Sequence, residues 1–260
     1  IYNLLFRRRI HYVVIGGWLA ELLQRNRWLL PFVKRLHMIY PETQNMKTTL
    51  AALGLHRVKV MPNCKPLHIL SADELAGYNP RPMRFCIFSR ITPTKGIEDA
   101  IKAVSLANEK AGSTIATLDL YGNVETCDCS WFDNVKASMP ETVAYRGKVA
   151  FDKSVSTLKD YTALLFPTYY PGEGLAGTVI DAFAAGLPII ASDWHDNANI
   201  ITDGKNGFVF PTHDVNRLAE IILDIYKCQD SLVPMKLNCI HSAQAYLPPF
   251  VIKIITTELA

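Results

Sequence analysis

The sequence predicts an α/β protein built on a parallel sheet, and three observations predict it. Short apolar runs, Ala163-Leu164-Leu165-Phe166 and Ile189-Ile190-Ala191, stop abruptly at loops, as strands buried on both faces do. Between them Leu175, Val179, Ala182 and Phe183 fall on one helical face until Gly186-Leu187-Pro188 breaks the pattern. Prolines at Lys65-Pro66, Asn79-Pro80 and Arg81-Pro82 resist regular structure and place a linker at about 64–82. These features divide the chain into a partial N-terminal α/β domain over 1–80 and a Rossmann-like, parallel-sheet C-terminal domain over 83–245. The tail at 246–260 looks like a last helix of the kind that crosses back to the first domain.

The elements follow in order. His11 to Ile15 reads as a strand, followed by Gly16-Gly17 and a helical stretch from Trp18 to about Leu23. A helix from Leu30 to Arg35 precedes a short strand at Met38-Ile39-Tyr40. Thr43 to Leu53 is helical and ends at Gly54, a C-cap residue. Val58 to Met61 reads as a strand closed by Pro62-Asn63. Beyond the linker come strand Arg84–Phe88, helix Ile97–Asn108, strand Ala116–Tyr121, a loop at 125–130 and helix Trp131–Ser138. Strand Val143–Arg146 is tipped by Gly147-Lys148-Val149, and helix Lys153–Tyr161 leads into the run at 163. Residues 203–210 form a turn and short strand, Asp214–Tyr226 an amphipathic helix, and Phe250–Leu259 the final helix.

Two loops carry chemistry. In the first, Ser89-Arg90-Ile91-Thr92-Pro93-Thr94-Lys95-Gly96, two cations five apart precede a helix and suit a diphosphate, Arg as a fork and Lys as a point charge. Taken alone they also read as solvated surface charges. In the second, Glu173 lies just before a helix and Asp181 about two turns into it. Free N–H groups at Gly174, Leu175, Ala176, Gly177 and Thr178, with the positive end of the helix dipole, suit the same anion. The bland alternative is a favourable acid at a helix start and an unrelated Asp. Gly16-Gly17 either approaches a sugar or phosphate or is a tight turn.

PTYYPGEGLAGTVIDAFAAGLPIIASD resembles the signature of the retaining GT-B-fold glycosyltransferases of family four: Glu-x7-Glu, an Ala-rich helix, then Gly-x-Pro and a short apolar run. Glu173 matches the first acid, and Asp181, one methylene shorter, stands where a second Glu is usual. SRITPTKG resembles the family's Gly/Ser-Arg-x4-Lys-Gly element, and the likeness runs from Arg84 to Phe210. It implies a GT-B-like fold whose N-terminal domain lacks its front half here. It also implies transfer of a sugar from a UDP- or GDP-sugar, UDP favoured, to a glycan or lipid-linked acceptor, with retention, without metal and with no separate cofactor. The pathway implied is bacterial cell-surface polysaccharide synthesis, such as lipopolysaccharide or capsule. In that scheme Arg90 and Lys95 answer the leaving diphosphate, Glu173 holds the sugar, Asp181 the ribose, and Gly147-Lys148 lies beside the base. A second reading is a non-catalytic nucleotide-sugar-binding subunit that needs a separate N-terminal half. In the loop after Asp193, Asn199 stands where the family often has Glu, and His195 and His213 read as incidental histidines.

Composition excludes other classes. The chain is 49% apolar and 20% charged, ample for a core, and a net charge of +3 without a basic-aromatic stripe argues against nucleic acid. Six cysteines include one close pair, Cys127-Asp128-Cys129, and read as thiols of a reducing cytoplasm. The first residue is Ile1, so the expected chain begins mid-protein, with no signal-peptide pattern and no run near the ~20 residues of a membrane span. The triplet Arg7-Arg8-Arg9 and the mix of Trp18, Leu22, Trp28 and Phe32 with Arg25, Arg27, Lys34 and Arg35 could rest peripherally on an anionic membrane. The same residues also read as an amphipathic helix on its sheet.

Overall fold

A computed structural model describes residues 8–75, 81–228 and 232–259. Arg7, Asn79 and Pro80, invoked above, lie outside the described residues. Among the described residues there are two parallel sheets. The first pairs β1 (His11–Val13) with β2 (Met38–Tyr40), in register His11↔Met38, beside helices α1 (Leu19–Arg25), α2 (Leu30–Val33) and α3 (Gln44–Ala52). Leu19, Leu23, Ile39, Leu50, Leu55 and Val58 form its small core. Thr43 caps α3 by accepting a hydrogen bond from the Met46 N–H at 3.2 Å.

The stretch Val58–Met61 differs from expectation: it forms a single bridge, Ile39↔Val58, and no regular strand. Its backbone does run along β2, with Lys59 N–H donating to Ile39 O and Met61 N–H to Pro41 O. Pro41 has no N–H to return, so the ladder cannot continue there.

The second sheet is six-stranded and parallel, in the order β5-β4-β3-β6-β7-β8: β3 (Met83–Phe88), β4 (Ala116–Tyr121), β5 (Val143–Gly147), β6 (Ala163–Phe166), β7 (Ile189–Ser192) and β8 (Gly207–Phe210). Every residue of β6 and β7 is buried, as their unbroken apolar runs require. Alternation divides them: Leu165 and Ile190 enter one core, Leu164, Phe166, Ile189 and Ala191 the other.

On the first face lie α4 (Ile97–Ala111), α5 (Cys129–Ala137) and α9 (Val215–Lys227). Leu218, Ile221, Ile222 and Ile225 of α9 are buried, each contributing about 1.5–3 kcal/mol of apolar transfer. On the second lie α6 (Ser154–Leu158), α7 (Gly177–Ala184) and α10 (Leu232–Ala243), while α8 (Asn197–Ile200) follows β7. Helix α10 was not expected from the sequence; it packs Cys239 and Ala243 into the core around α7. Helix α11 (Pro248–Leu259) ends the chain, and its Glu258 Oε1 lies 2.7 Å from Lys59 Nζ of the first unit. Among the described residues no helix is long and apolar enough to cross a membrane.

The strand order reverses between β3 and β6. From β3 the chain winds outward through β4 and β5; from β6 it winds the other way through β7 and β8. Loops leaving the carboxyl ends of β3 and β6 therefore part to opposite sides and leave a crevice, the usual ligand position in such sheets.

Candidate functional site

That crevice is lined by the two chemistry-bearing loops. A cavity of about 420 Å³ is bounded by Phe88, Ser89, Arg90 and Lys95 from β3 and its loop, and by Tyr121 and Asn123 from the end of β4. Lys148 and Val149 close it from the β5 tip, Glu173, Ala176, Gly177, Thr178 and Asp181 from the β6–α7 connection, and Lys65 from the linker. Arg90, Lys95, Glu173, Asp181, Ala176, Gly177, Thr178 and Lys148 thus converge on one space. Gly147 sits behind Lys148 with its carbonyl bonded to Gly122 N–H.

Lys95 is buried and its Nζ donates to Glu173 Oε2 at 2.5 Å, while Thr168 Oγ1 donates to the same oxygen at 2.6 Å. Among the described residues the hydrogen bonds to this buried carboxylate fall on Oε2, and Oε1 accepts none. The Arg90 guanidinium lies 5.1 Å from the Tyr170 ring centre, and Lys95 Nζ lies 5.0 Å from it. Hydrogen bonding with Arg90 holds the Tyr170 hydroxyl below its ordinary value and, reciprocally, raises the guanidinium. Arg90 is therefore a fixed cation held by an aromatic shelf.

Helix α7 begins at Gly177 with Ala176 as its N-cap, so Asp181 lies about one turn in rather than two. Both its oxygens accept from Lys65 Nζ, at 2.7 and 2.6 Å, and Ser154 Oγ donates to Oδ1 at 3.0 Å. Among the described residues the Thr178 hydroxyl oxygen, buried at the same wall, has no partner.

Not every glycine or amide faces the cavity. Glu42, at the carboxyl end of β2, accepts from Gly16 N–H at 3.2 Å and from Leu175 N–H at 3.1 Å. The Leu175 amide, expected to be free for an anion, is thus already held by a carboxylate of the chain, and the Leu175 side chain is buried in the core. A Cβ on Gly174 would strike the Glu42 carboxylate. Gly17 N–H bonds Gly172 O at 3.1 Å, so Gly16-Gly17 packs on the acidic loop instead of on the larger cavity. Burial raises the Glu42 carboxyl above its ordinary value, against the two backbone donors and with help from nearby Glu173.

Glu173 also borders a second cavity of about 190 Å³, with Gly17, Glu21, Asn45, His195 and Asp196. Asp196 is buried there and accepts from Thr43 Oγ1 at 2.6 Å and from Asn199 Nδ2 at 3.2 Å. His195 Nε2 lies 3.0 Å from Pro171 O and Trp194 Nε1 donates to Tyr170 O at 2.8 Å, so the loop after β7 clasps the acidic loop. His213 instead pairs with Asp99 and lines neither cavity.

The family model described as glycosyl transferases group 1 matches residues 82–228. The chain belongs to that family. The match covers the whole six-stranded sheet and both chemistry-bearing loops. Among curated relatives, the poly(glycerol-phosphate) alpha-glucosyltransferase of Bacillus subtilis (strain 168) is 24% identical over 167 residues, 63% of this chain and 24% of that one. The chain spans roughly a quarter to under half the length of the curated relatives it matches. Among solved structures, Anabaena HepE in complex with UDP superposes with a TM-score of 0.84 at 17% identity, over 99% of this chain and 73% of that one. The pneumococcal O-GlcNAc transferase GtfA in complex with UDP and GlcNAc gives 0.75 at 18%, over 96% and 52%. The GT-B-like, Rossmann-like fold class read from the sequence is thereby established.

Sequence reasoning missed Lys65, Glu42, Ser154, Thr168 and Tyr170. Glu42 was findable, since it lies two residues past the end of a strand, as Arg90 does. Lys65 carried no local signal: it lies in an extended linker, and only the fold brings it 116 residues along the chain to Asp181.

Proposed function

We propose that the chain is the donor-binding part of a glycosyltransferase that takes a sugar from a nucleoside diphosphate, UDP favoured, and passes it to a glycan or lipid-linked acceptor in surface polysaccharide synthesis. One observation carries this reading: Arg90, Lys95 and Glu173 meet at one crevice where the strand order reverses. The UDP in the HepE and GtfA structures supports the donor class. The base and ribose lie toward Lys148 and Asp181, and the diphosphate toward Arg90, Lys95 and the start of α7.

When the bond between the anomeric carbon and the phosphate oxygen breaks, its electron pair goes to the diphosphate. Two cations and the amino end of a helix answer that charge, and these groups supply what a cation would, so the scheme needs no metal. The sugar becomes electron-poor, and the unused oxygen of Glu173 faces its hydroxyls. The acceptor oxygen enters from the smaller cavity on the face the diphosphate leaves, its proton passing to the departing phosphate oxygen, which retains configuration. Glu173 borders both cavities, where donor and acceptor must meet.

The basic-aromatic segment supports a peripheral membrane position: Trp28 is 68% and Phe32 46% exposed, beside Arg25 and Arg27. Binding of UDP by calorimetry, with release of free sugar from a UDP-sugar, tests the central reading; a chain that binds no nucleoside diphosphate sinks it.

A further inference from the structure

The acid that the family likeness assigns to the ribose does not face the cavity alone. Asp181 is only 3% exposed, and both of its oxygens are covered by one ammonium, Lys65 Nζ. Lys65 lines the cavity beside Asp181, and Phe151 lies against its charge at 4.6 Å from ring centre. Its main chain is fixed by a hydrogen bond from Lys65 N–H to Tyr246 O at 3.2 Å. A ligand reaching this wall therefore meets a lysine that comes from outside the nucleotide-binding sheet.

We propose that Lys65 and Asp181 act as one recognition pair for the 2′- and 3′-hydroxyls of the donor's ribose, an inference that rests on the nucleoside-diphosphate reading above. An ammonium has three N–H groups, and Asp181 takes two of them. The third donates to a ribose oxygen, and a carboxylate lone pair accepts the hydroxyl proton. The charge state selects the sugar over the phosphates. A paired lysine and carboxylate are neutral together and suit a neutral diol, whereas the cation on an aromatic shelf, Arg90, suits the diphosphate. Position agrees: Ser154 and Phe151, which brace the pair, follow the β5 tip that carries Lys148, whereas Arg90 lies on the loop after β3, two strands away in the sheet. An aspartate reaches one methylene less far than a glutamate, and the lysine spans that gap.

Calorimetric titration of the whole chain with UDP and with 2′,3′-dideoxy-UDP tests this, in the native protein and in Lys65→Met, which keeps the apolar stem. The native chain is expected to prefer UDP by about tenfold or more, the scale of hydrogen bonds to charged groups. Lys65→Met should weaken UDP about tenfold while leaving the dideoxy compound within about twofold, so that the preference collapses. Removing Lys65 leaves a buried carboxylate unpaired, so the neutral double variant Lys65→Met/Asp181→Asn is measured beside it and should show the same collapse. Either variant folding and keeping the native preference overturns the pair. So does equal loss for both ligands, which would make Lys65 a phosphate contact. A native chain that binds no UDP fails the donor reading as well, a result distinct from UDP binding that is blind to Lys65.

Discussion

Lys95 Nζ and Glu173 Oε2 lie 2.5 Å apart with both side chains 7% exposed, and they come from loops on opposite sides of the point where the strand order reverses. The pair thus joins the β3 and β6 halves of the sheet and places a fixed carboxylate between two cavities. A buried pair of this kind is a weak source of stability when intact and a large loss when broken, because the remaining charge is stranded.

Lys95→Met and Glu173→Gln are therefore expected to differ in kind from the double variant. Lys95→Met should cost about 3–5 kcal/mol by leaving Glu173 unpaired, whereas Lys95→Met/Glu173→Gln should recover most of that in urea unfolding. Donor turnover should stay about 100-fold or more below native in the double variant, since the proposed scheme sets both groups at the reacting centre. Recovery of turnover along with stability would show that the pair is structural only.

Arg90 offers a cleaner test of the proposed diphosphate contact, because it is held by Tyr170 and, among the described residues, pairs with no carboxylate. Arg90→Ala should weaken UDP by about 10- to 100-fold and uridine by less than about twofold. Equal losses for the two ligands would remove the guanidinium from the phosphate site.

How much of this was legible beforehand follows from what each residue depends on. Strand β6 was read with its observed bounds because a strand buried on both faces is written as an uninterrupted apolar run, and β4 was too although Thr117 and Asp119 interrupt its apolar residues. Arg90, Lys95 and Glu173 were singled out because each lies on a loop that follows a strand and sits in a motif resembling the family's, while position alone left them readable as surface charges. Helix α10 was overlooked although Leu232, Met235, Cys239 and Ala243 keep helical spacing and Pro234, in its first turn, is tolerated there. The ion pair of Lys65 with Asp181 and the Glu42 carboxylate on the Leu175 amide depend on chain crossings that no local pattern encodes.

Glu42 makes a pH-dependent prediction. Its carboxyl is raised by burial, so its contribution to stability is fully present below the unfolded value and is lost as pH rises through the folded one. Glu42→Gln keeps an oxygen for the Gly16 and Leu175 N–H groups and cannot ionise. Its stability relative to native should accordingly improve between pH 4.5 and 8 in urea unfolding. Glu42→Ala strands both amides and should cost about 1–3 kcal/mol across that range. A Glu42→Gln variant that loses ground as pH rises would mean the carboxylate is better solvated than its enclosure suggests.

Gly96 and Gly112 share a left-handed backbone, φ +69° and +66°, at the two ends of α4, and differ only in what surrounds them. Among the described residues nothing lies within 4 Å of a Cβ built on Gly112, whereas on Gly96 it would collide with the Pro167 carbonyl just past β6. Alanine at 112 should therefore cost only the conformational term, about 1–2 kcal/mol. Alanine at 96 adds a backbone clash that pushes the β3 loop off β6, and Lys95, its neighbour, moves with it. The expected result is a larger loss of stability together with weakened UDP binding at 96, and unchanged UDP binding at 112. If the two alanines proved equivalent in melting temperature and in UDP affinity, the close contact between the β3 and β6 loops would not be what holds Lys95 against Glu173.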